Sequence, residues 1–149
     1  MIQIDRTLHR GDILIAHRRL DGTVDQYLVR NAFTDGGLGY LAARAAGEAG
    51  DVISHMALGE GDTPEDGTST TLEAEIAGSR VAVSITGTGP SRIYTAVFGE
   101  TVGNGAITEA GLFNAATGGL LTNRAVFGVK TKVPGEIMTF VWTLSQQRA

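Results

Sequence analysis

Short runs of β-branched and aromatic residues, separated by glycine-rich turns, are the feature that most restricts how this chain can fold. These runs occur after one alanine-rich stretch, at 51–59, 79–86, 92–100, 106–115, 120–129 and 136–145. The last run alternates between large apolar and other residues, and its heavier face holds Met138, Phe140, Trp142 and Leu144. This period of two predicts a strand that lines a core. Because strands do not alternate with helices, we expect a mainly β fold, a jelly-roll-like antiparallel β-sandwich.

The N-terminal region predicts a β-hairpin over residues 12–31. Two apolar-rich runs flank Asp21-Gly22, a dipeptide that suits a two-residue type I′ turn. Centring the hairpin on this turn aligns an opposite-charge pair and a small-large pair, which favour one register. The expected pairs are Arg18 with Asp25 and Ala16 with Tyr27.

An isolated hairpin is marginally stable, so this one must pack on the rest of the chain or on a neighbour. We therefore divide the chain into an N-terminal arm, residues 1–31, and a sandwich body, residues 32–149. The arm residues that we expect to contact a partner or another copy are Ile13, Ile15, Tyr27 and Leu28.

The alanine-rich stretch after the hairpin predicts one short helix. Asp35 is a candidate N-cap, and apolar residues from Leu38 onward recur at helical spacing until two glycines interrupt them. We expect the helix to run from about Leu38 to Glu48.

Composition excludes several classes of protein. The 149 residues suit one domain with a substantial core. The net charge is -4, and only two of the twelve basic residues are lysine, which disfavours a nucleic-acid-binding surface. The chain has no cysteine and therefore no disulfide, thiolate nucleophile or cysteine zinc site. We also expect a soluble protein without an export signal, because no apolar run has the length of a membrane span and the charged start "MIQIDRTLHRGD" has no apolar core followed by small residues.

No residue pattern predicts catalysis, a zinc site or a phosphate-binding loop. His9, His17 and His55 lack the spacing of zinc ligands. The glycine-rich segments "GTGPSR" and "GETVGNG" lack the lysine and helix of a phosphate-binding loop, and no serine lies in a nucleophile elbow. Glu109 could form a glycosidase carboxylate pair with Glu100 or Glu136, but their separation depends on the fold. We predict that the protein is not an enzyme and has no cofactor.

The acidic loop leaves one metal question open. Clustered carboxylates suit calcium, although the ligand spacing of an EF-hand is missing. A solvated loop explains the same residues. The carboxylates in question are Glu60, Asp62, Glu65 and Asp66.

Glu109 is a lone charge in an otherwise apolar run, "ITEAGLF". If the chain turns through residues 116–119, Gly111 lies opposite Arg124 and leaves room for the guanidinium to reach the Glu109 carboxylate. We predict that Glu109 and Arg124 form an internal structural strut. The alternatives are a catalytic acid and a ligand anchor.

Several segments, in order, resemble a group of small phage virion proteins. They are "RNAFTDGGLGYLAA", "ISHMALGEGDTPEDGTSTTLEAEI", "FGETVGNGAITEAGLFNAATGGLLTNRAVFGVKTK" and "MTFVWTLS". The group has a strand ending in alanine-leucine-glycine-x-glycine, a threonine-rich acidic loop and a threonine-leucine-x-x-glutamate turn, which Ala57 to Gly61 and Thr71 to Glu75 match. Asn104 to Phe113 matches best. Typical members lack the hairpin at 12–31.

The resemblance implies a virion structural role. The group has a helix followed by a jelly-roll or sandwich body and includes capsid decoration (cement) proteins and tail-fibre-associated proteins. We expect a homotrimer on the capsid surface that is made in the host cytoplasm, binds the major capsid protein and braces neighbouring capsomers. The first alternative is a tail, baseplate or tail-fibre component, for which a host glycan is one candidate ligand. The second is a free-standing carbohydrate-binding module.

Overall fold

The computed structural model describes residues 7–148, which form nine strands and one helix. Turn-rich loops join the elements, as the sequence pattern predicts. The elements are β1 (Thr7–Arg18), β2 (Val24–Phe33), α1 (Asp35–Ala45), β3 (His55–Gly59), β4 (Val81–Ala82), β5 (Ser84–Thr86), β6 (Ser91–Phe98), β7 (Gly105–Phe113), β8 (Leu121–Lys132) and β9 (Ile137–Arg148).

Two antiparallel sheets pack face to face as a sandwich, so the predicted mainly β sandwich is confirmed. The front sheet has the order β2-β1-β9-β6-β5, and the back sheet has the order β4-β3-β7-β8. At one side of the sandwich, Ala32 and Phe33 at the end of β2 pair with Arg124 and Asn123 of β8. At the other side, the chain passes from β4 to β5 through Val83 alone. The sandwich is therefore joined along both sides.

The core lies between the two sheets. Alternate residues of β1, β6 and β9 meet alternate residues of β3, β7 and β8 there, and the heavier face of β9 is buried as predicted. Phe98 and Phe140 meet edge to face with centroids 5.4 Å apart. The largest fully buried apolar side chains of this core are Trp142, Phe98, Phe140, Ile13, Ile15, Met56, Leu58, Ile107 and Leu112.

The predicted hairpin register is wrong by one residue. His17, not Arg18, lies opposite Asp25, and Ile15 lies opposite Tyr27. The cause is a longer turn: Arg18 and Val24 form the last pair, and the Arg19 amide donates to the carbonyl of Thr23. Gly22 takes a positive φ of 85° in this turn, which glycine adopts without strain.

The hairpin is part of the sandwich and not a separate arm. β1 pairs with β2 on one side and, from Thr7 to Arg18, with β9 on the other. Of the predicted contact residues, Ile13 and Ile15 are fully buried in the core and cannot bind a partner. Tyr27 packs partly buried against the core. Leu28 remains exposed, because it points to the opposite face of the sheet.

The helix begins three residues earlier than predicted, at Asp35. Thr34 is the N-cap, since its hydroxyl accepts a hydrogen bond from the amide of Gly37. Asp35 occupies the first turn, where its charge favours the helix dipole. A Cβ at Gly37 would collide with the carbonyl of Thr122, so this glycine allows α1 to lie directly on β8.

With 11 residues, α1 is shorter than a bilayer crossing requires, and the described part of the chain has no other helix that could make one.

A long segment, residues 60–80, covers the outer face of the back sheet. Leu72 of this segment enters a second small apolar cluster with residues of β3, β7 and β8. The Arg80 guanidinium lies 3.6 Å from the ring centroid of Phe113 and donates to the carbonyls of Ala115 and Gly118. The residues of the cluster are Ala57, Leu72, Phe113 and Leu121.

Candidate functional site

Glu109 lies on β7 beneath the covering segment 60–80 and is 0% exposed. The structure places Gly111 opposite Arg124, in the alignment expected from the sequence. The Arg124 Nε donates to Glu109 Oε2 at 2.7 Å, and the arginine is only 2% exposed. A bulge between Ile107 and Glu109 sets the final orientation of the carboxylate.

The Glu109 carboxylate also accepts hydrogen bonds from the backbone of the covering segment. The amides of Gly61 and Ala74 donate to Oε1 at 3.1 and 2.7 Å, and the amide of Glu73 donates to Oε2 at 3.1 Å. The sequence pattern predicted the arginine partner but not these amides, which lie 35 to 48 residues away along the chain. Glu109 therefore holds two separate parts of the segment, at Gly61 and at Glu73-Ala74, on the sheet.

Arg124 extends this network toward the acidic loop. Its Nη1 donates to the carbonyl of Thr63 at 2.9 Å and contacts Glu65 Oε2 at 3.2 Å, and its Nη2 contacts Glu73 Oε2 at 3.4 Å. Burial by itself would lower the pKa of Arg124, but the hydrogen bond and charge of Glu109, together with Glu65, raise it. The guanidinium therefore stays charged.

Glycines make room for the buried carboxylate. A Cβ at Gly59 or Gly61 would collide with the Glu109 side chain, and a Cβ at Gly111 would press on Leu72 and Leu121. These positions explain the glycine-x-glycine signal at the end of β3. Residues 57–61 and 71–75 meet at Glu109, where Gly61, Glu73 and Ala74 supply the three donating amides.

This geometry suits a strut. The carboxylate is enclosed by hydrogen bonds from the strand pair and the covering segment, and a substrate could reach its oxygens only by displacing that segment. The contribution of the strut to stability stays a prediction.

The histidines lie in separate places. His9 stacks edge to face on Phe33, with centroids 5.6 Å apart, and His55 Nδ1 lies 2.8 Å from the hydroxyl of Ser54. His17 is buried with its Nε2 3.1 Å from Glu136 Oε1. Within residues 7–148, no group of three histidine, aspartate or glutamate side chains is placed to hold a metal ion.

The acidic loop is ordered by its own hydrogen bonds. Glu65 accepts from the amide of Gly67, and Asp66 accepts from the amide and hydroxyl of Thr68. The Thr68 hydroxyl and amide lower the pKa of Asp66. Contacts within the protein therefore engage Glu65 and Asp66, two of the four carboxylates that the sequence offered as calcium ligands.

A second buried polar cluster, which the sequence did not predict, lies near the turn between β8 and β9. Glu136 pairs with His17 and accepts from the amide of Val133, a hydrogen bond that lowers the pKa of Glu136. Lys132 is 1% exposed, and its Nζ donates to the Gly99 carbonyl and to Asn104 Oδ1, each at 2.7 Å. Burial lowers the pKa of Lys132. The sequence did not predict this cluster, because the alternation of apolar and polar residues along a strand does not reveal that a single lysine is buried.

The outer face of the front sheet is the main apolar surface that the described chain leaves uncovered. Leu14 lies between Leu28 of β2 and Val141 of β9, so three neighbouring strands present an apolar row. Threonines and Val97 continue this surface across β9 and β6. We call it the front outer face, and its exposed large apolar residues are Leu28 at 68%, Val97 at 56%, Val24 at 53% and Leu14 at 39%.

Charges mark one end of the front outer face. Asp12 pairs with Arg10 at 3.0 Å and lies 3.7 Å from the Nε of Arg30. An apolar centre with a charged rim is typical of a protein contact surface.

Comparisons of the chain with protein-family models, with curated proteins and with solved structures find no match.

Proposed function

We propose that this protein is a phage capsid decoration protein that binds the outer shell as a homotrimer and braces neighbouring capsomers. The observation that carries the proposal is the contrast between the two outer faces. Residues 60–80 cover the back sheet, whereas the front outer face keeps Leu28 and Val97 exposed. Two parts of the proposal rest on the family resemblance: that the protein belongs to a phage particle, and that its sandwich is jelly-roll-like.

The front outer face is the contact surface in this proposal. Burial of apolar area between copies stabilises a small domain, and a sheet face that carries valine, leucine and threonine offers that area without a disulfide. Trimerisation also multiplies weak shell contacts, because binding at one subunit raises the effective concentration of the others.

The first experiment measures the oligomer. Light scattering should give about three times the 15.6 kDa mass of one chain. Leu28→Glu combined with Val97→Glu should shift the mass toward that of the monomer, because each substitution places a charge in the apolar face. Leu20→Glu is the matched control, since Leu20 is 67% exposed at the hairpin turn and lies outside the front outer face.

The second experiment measures attachment. The trimer should cosediment with shells of the phage that encodes it, the Leu28/Val97 variant should remain in the supernatant, and the Leu20 variant should behave like the unchanged protein. Cryo-electron microscopy of the particle should place its density on the shell. Density on the tail would reject the capsid proposal in favour of the tail-component alternative.

A further inference from the structure

A pocket of about 350 Å³ opens where α1 passes the ends of β6 and β9. Its walls are apolar and aromatic: Leu41 from the helix, Ile53 from the segment before β3, and Tyr94 and Leu144 from the front sheet. Ile53 and Leu144 are buried core residues, so the wall is part of the folded framework. The volume and the lining are typical of a small-ligand site.

The formal charge that lines this pocket is positive. Arg92 is the charged residue among its described lining residues, and no described lining residue is a carboxylate. Arg92 Nη1 donates to the carbonyls of Gly89 and Ser91 at 3.0 and 2.7 Å, which positions the guanidinium at the start of β6. Both contacts use Nη1, so they leave the Nε and Nη2 hydrogens available to a ligand.

Two phenols face the same space. Tyr40 comes from α1 and Tyr94 from β6, and each can donate a hydroxyl hydrogen. Burial raises the pKa of Tyr94, Tyr40 adds to the effect, and the charge of Arg92 opposes it. These groups place hydrogen-bond donors beside an apolar wall in a chain whose net charge is -4.

We propose that this pocket, which we call the β6/β9 pocket, binds a carboxylate attached to an aromatic or branched apolar group. Arg92 pairs with the carboxylate, a geometry that guanidinium groups favour, and the apolar wall takes the body of the ligand. The source is either a free small acid or the C-terminal residue of a polypeptide, since both present the same chemistry. This inference is independent of the capsid proposal.

Nuclear magnetic resonance titration of the full chain tests the proposal. Phenylacetate should shift the backbone amides of Ser91, Tyr94 and Ser145, and phenylacetamide, its neutral analogue, should bind at least about tenfold more weakly. Gly-Gly-Phe with a free carboxylate, compared with its C-terminal amide, tests the polypeptide source. Tighter binding of the free peptide than of phenylacetate would identify a polypeptide C-terminus, and the reverse order would identify a free acid.

Three variants connect binding to the pocket. Arg92→Gln should remove the preference for the acid over the amide, and Leu41→Trp should block both by filling the cavity. Arg18→Gln, at an exposed arginine elsewhere on the front sheet, is the charge control and should bind like the unchanged protein. Tyr94→Phe keeps the wall and removes a donor, so binding should weaken without loss of fold.

Equal affinity for phenylacetate and phenylacetamide would overturn the proposal, as would failure of both phenylacetate and Gly-Gly-Phe to bind at millimolar concentration. Unchanged acid binding by a folded Arg92→Gln protein would also overturn it. Thermal unfolding of each variant identifies those that are folded.

Discussion

At the scale of single residues, Glu109 shows how one buried charge can organise a surface segment. The ion pair with Arg124 satisfies one oxygen, and the amides of Gly61, Glu73 and Ala74 complete the shell around the carboxylate. A buried carboxylate without such partners would be strongly destabilising. The same contacts therefore neutralise the charge and hold residues 60–80 on the back sheet.

We predict that Glu109→Ala lowers the free energy of unfolding by about 3–5 kcal/mol, because it leaves a buried guanidinium and several amides without their acceptor. Arg124→Met in the same chain should recover part of this loss, with a coupling energy of at least about 0.5 kcal/mol in a double-mutant cycle. Chemical denaturation of the four proteins measures both quantities.

Glu48→Ala serves as the control for this cycle, since Glu48 is exposed beyond the helix. A melting temperature for Glu109→Ala that equals or exceeds that of the unchanged protein would reject the strut. That result would instead indicate a catalytic or ligand-binding glutamate, because functional carboxylates often reduce stability.

At the scale of elements, β1 has a different role from the one its hairpin motif suggested. A hairpin turn identifies two paired strands but not the third strand that joins them. β1 pairs with β9, and the residues of β9 lie more than 100 positions later in the chain than the β1 residues they pair with. Ile13 and Ile15 consequently belong to the core, and Leu14 between them belongs to the outer face.

Two neighbouring residues of β1 should therefore respond very differently to truncation. Ile15→Ala should cost about 2–5 kcal/mol in unfolding free energy, because it opens a cavity in a closely packed core. Leu14→Ala should cost less than about 1 kcal/mol in the monomer, since Leu14 is 39% exposed. Urea denaturation of both variants measures the difference, and equal losses would contradict the placement of β1 within the sheet.

At the scale of the whole molecule, residues 7–148 cover the outer face of the back sheet and leave that of the front sheet open. The covering segment depends on carboxylates, including Glu65, which contacts Arg124. Burial would raise the pKa of Glu65, but the hydroxyl of Ser69, the amide of Gly67 and Arg124 together lower it from its ordinary 4.5. The Val133 amide and His17 likewise lower the pKa of Glu136.

These shifts predict acid sensitivity. A carboxyl group whose folded-state pKa lies below its unfolded value stabilises the fold above that unfolded value, and the contribution disappears as the pH falls through the folded value. The melting temperature should therefore fall as the pH drops below about 4.5. Calorimetry between pH 7 and pH 3 measures the slope, which Glu65→Gln should reduce and the control Glu48→Gln should not. An identical slope in Glu65→Gln would exclude this residue as a source of the acid sensitivity.

The sequence by itself determined the local features of this protein: the strands, the alternating face of β9, and the alignment of Gly111 with Arg124. These follow from side-chain period and short turns, which act between neighbouring residues. Only the tertiary structure decided that β1 joins β9, that segment 60–80 closes over Glu109, and that Leu28 stays exposed while Ile13 and Ile15 are buried. These outcomes depend on contacts between distant residues, whose free energy arises when separate elements bury surface together.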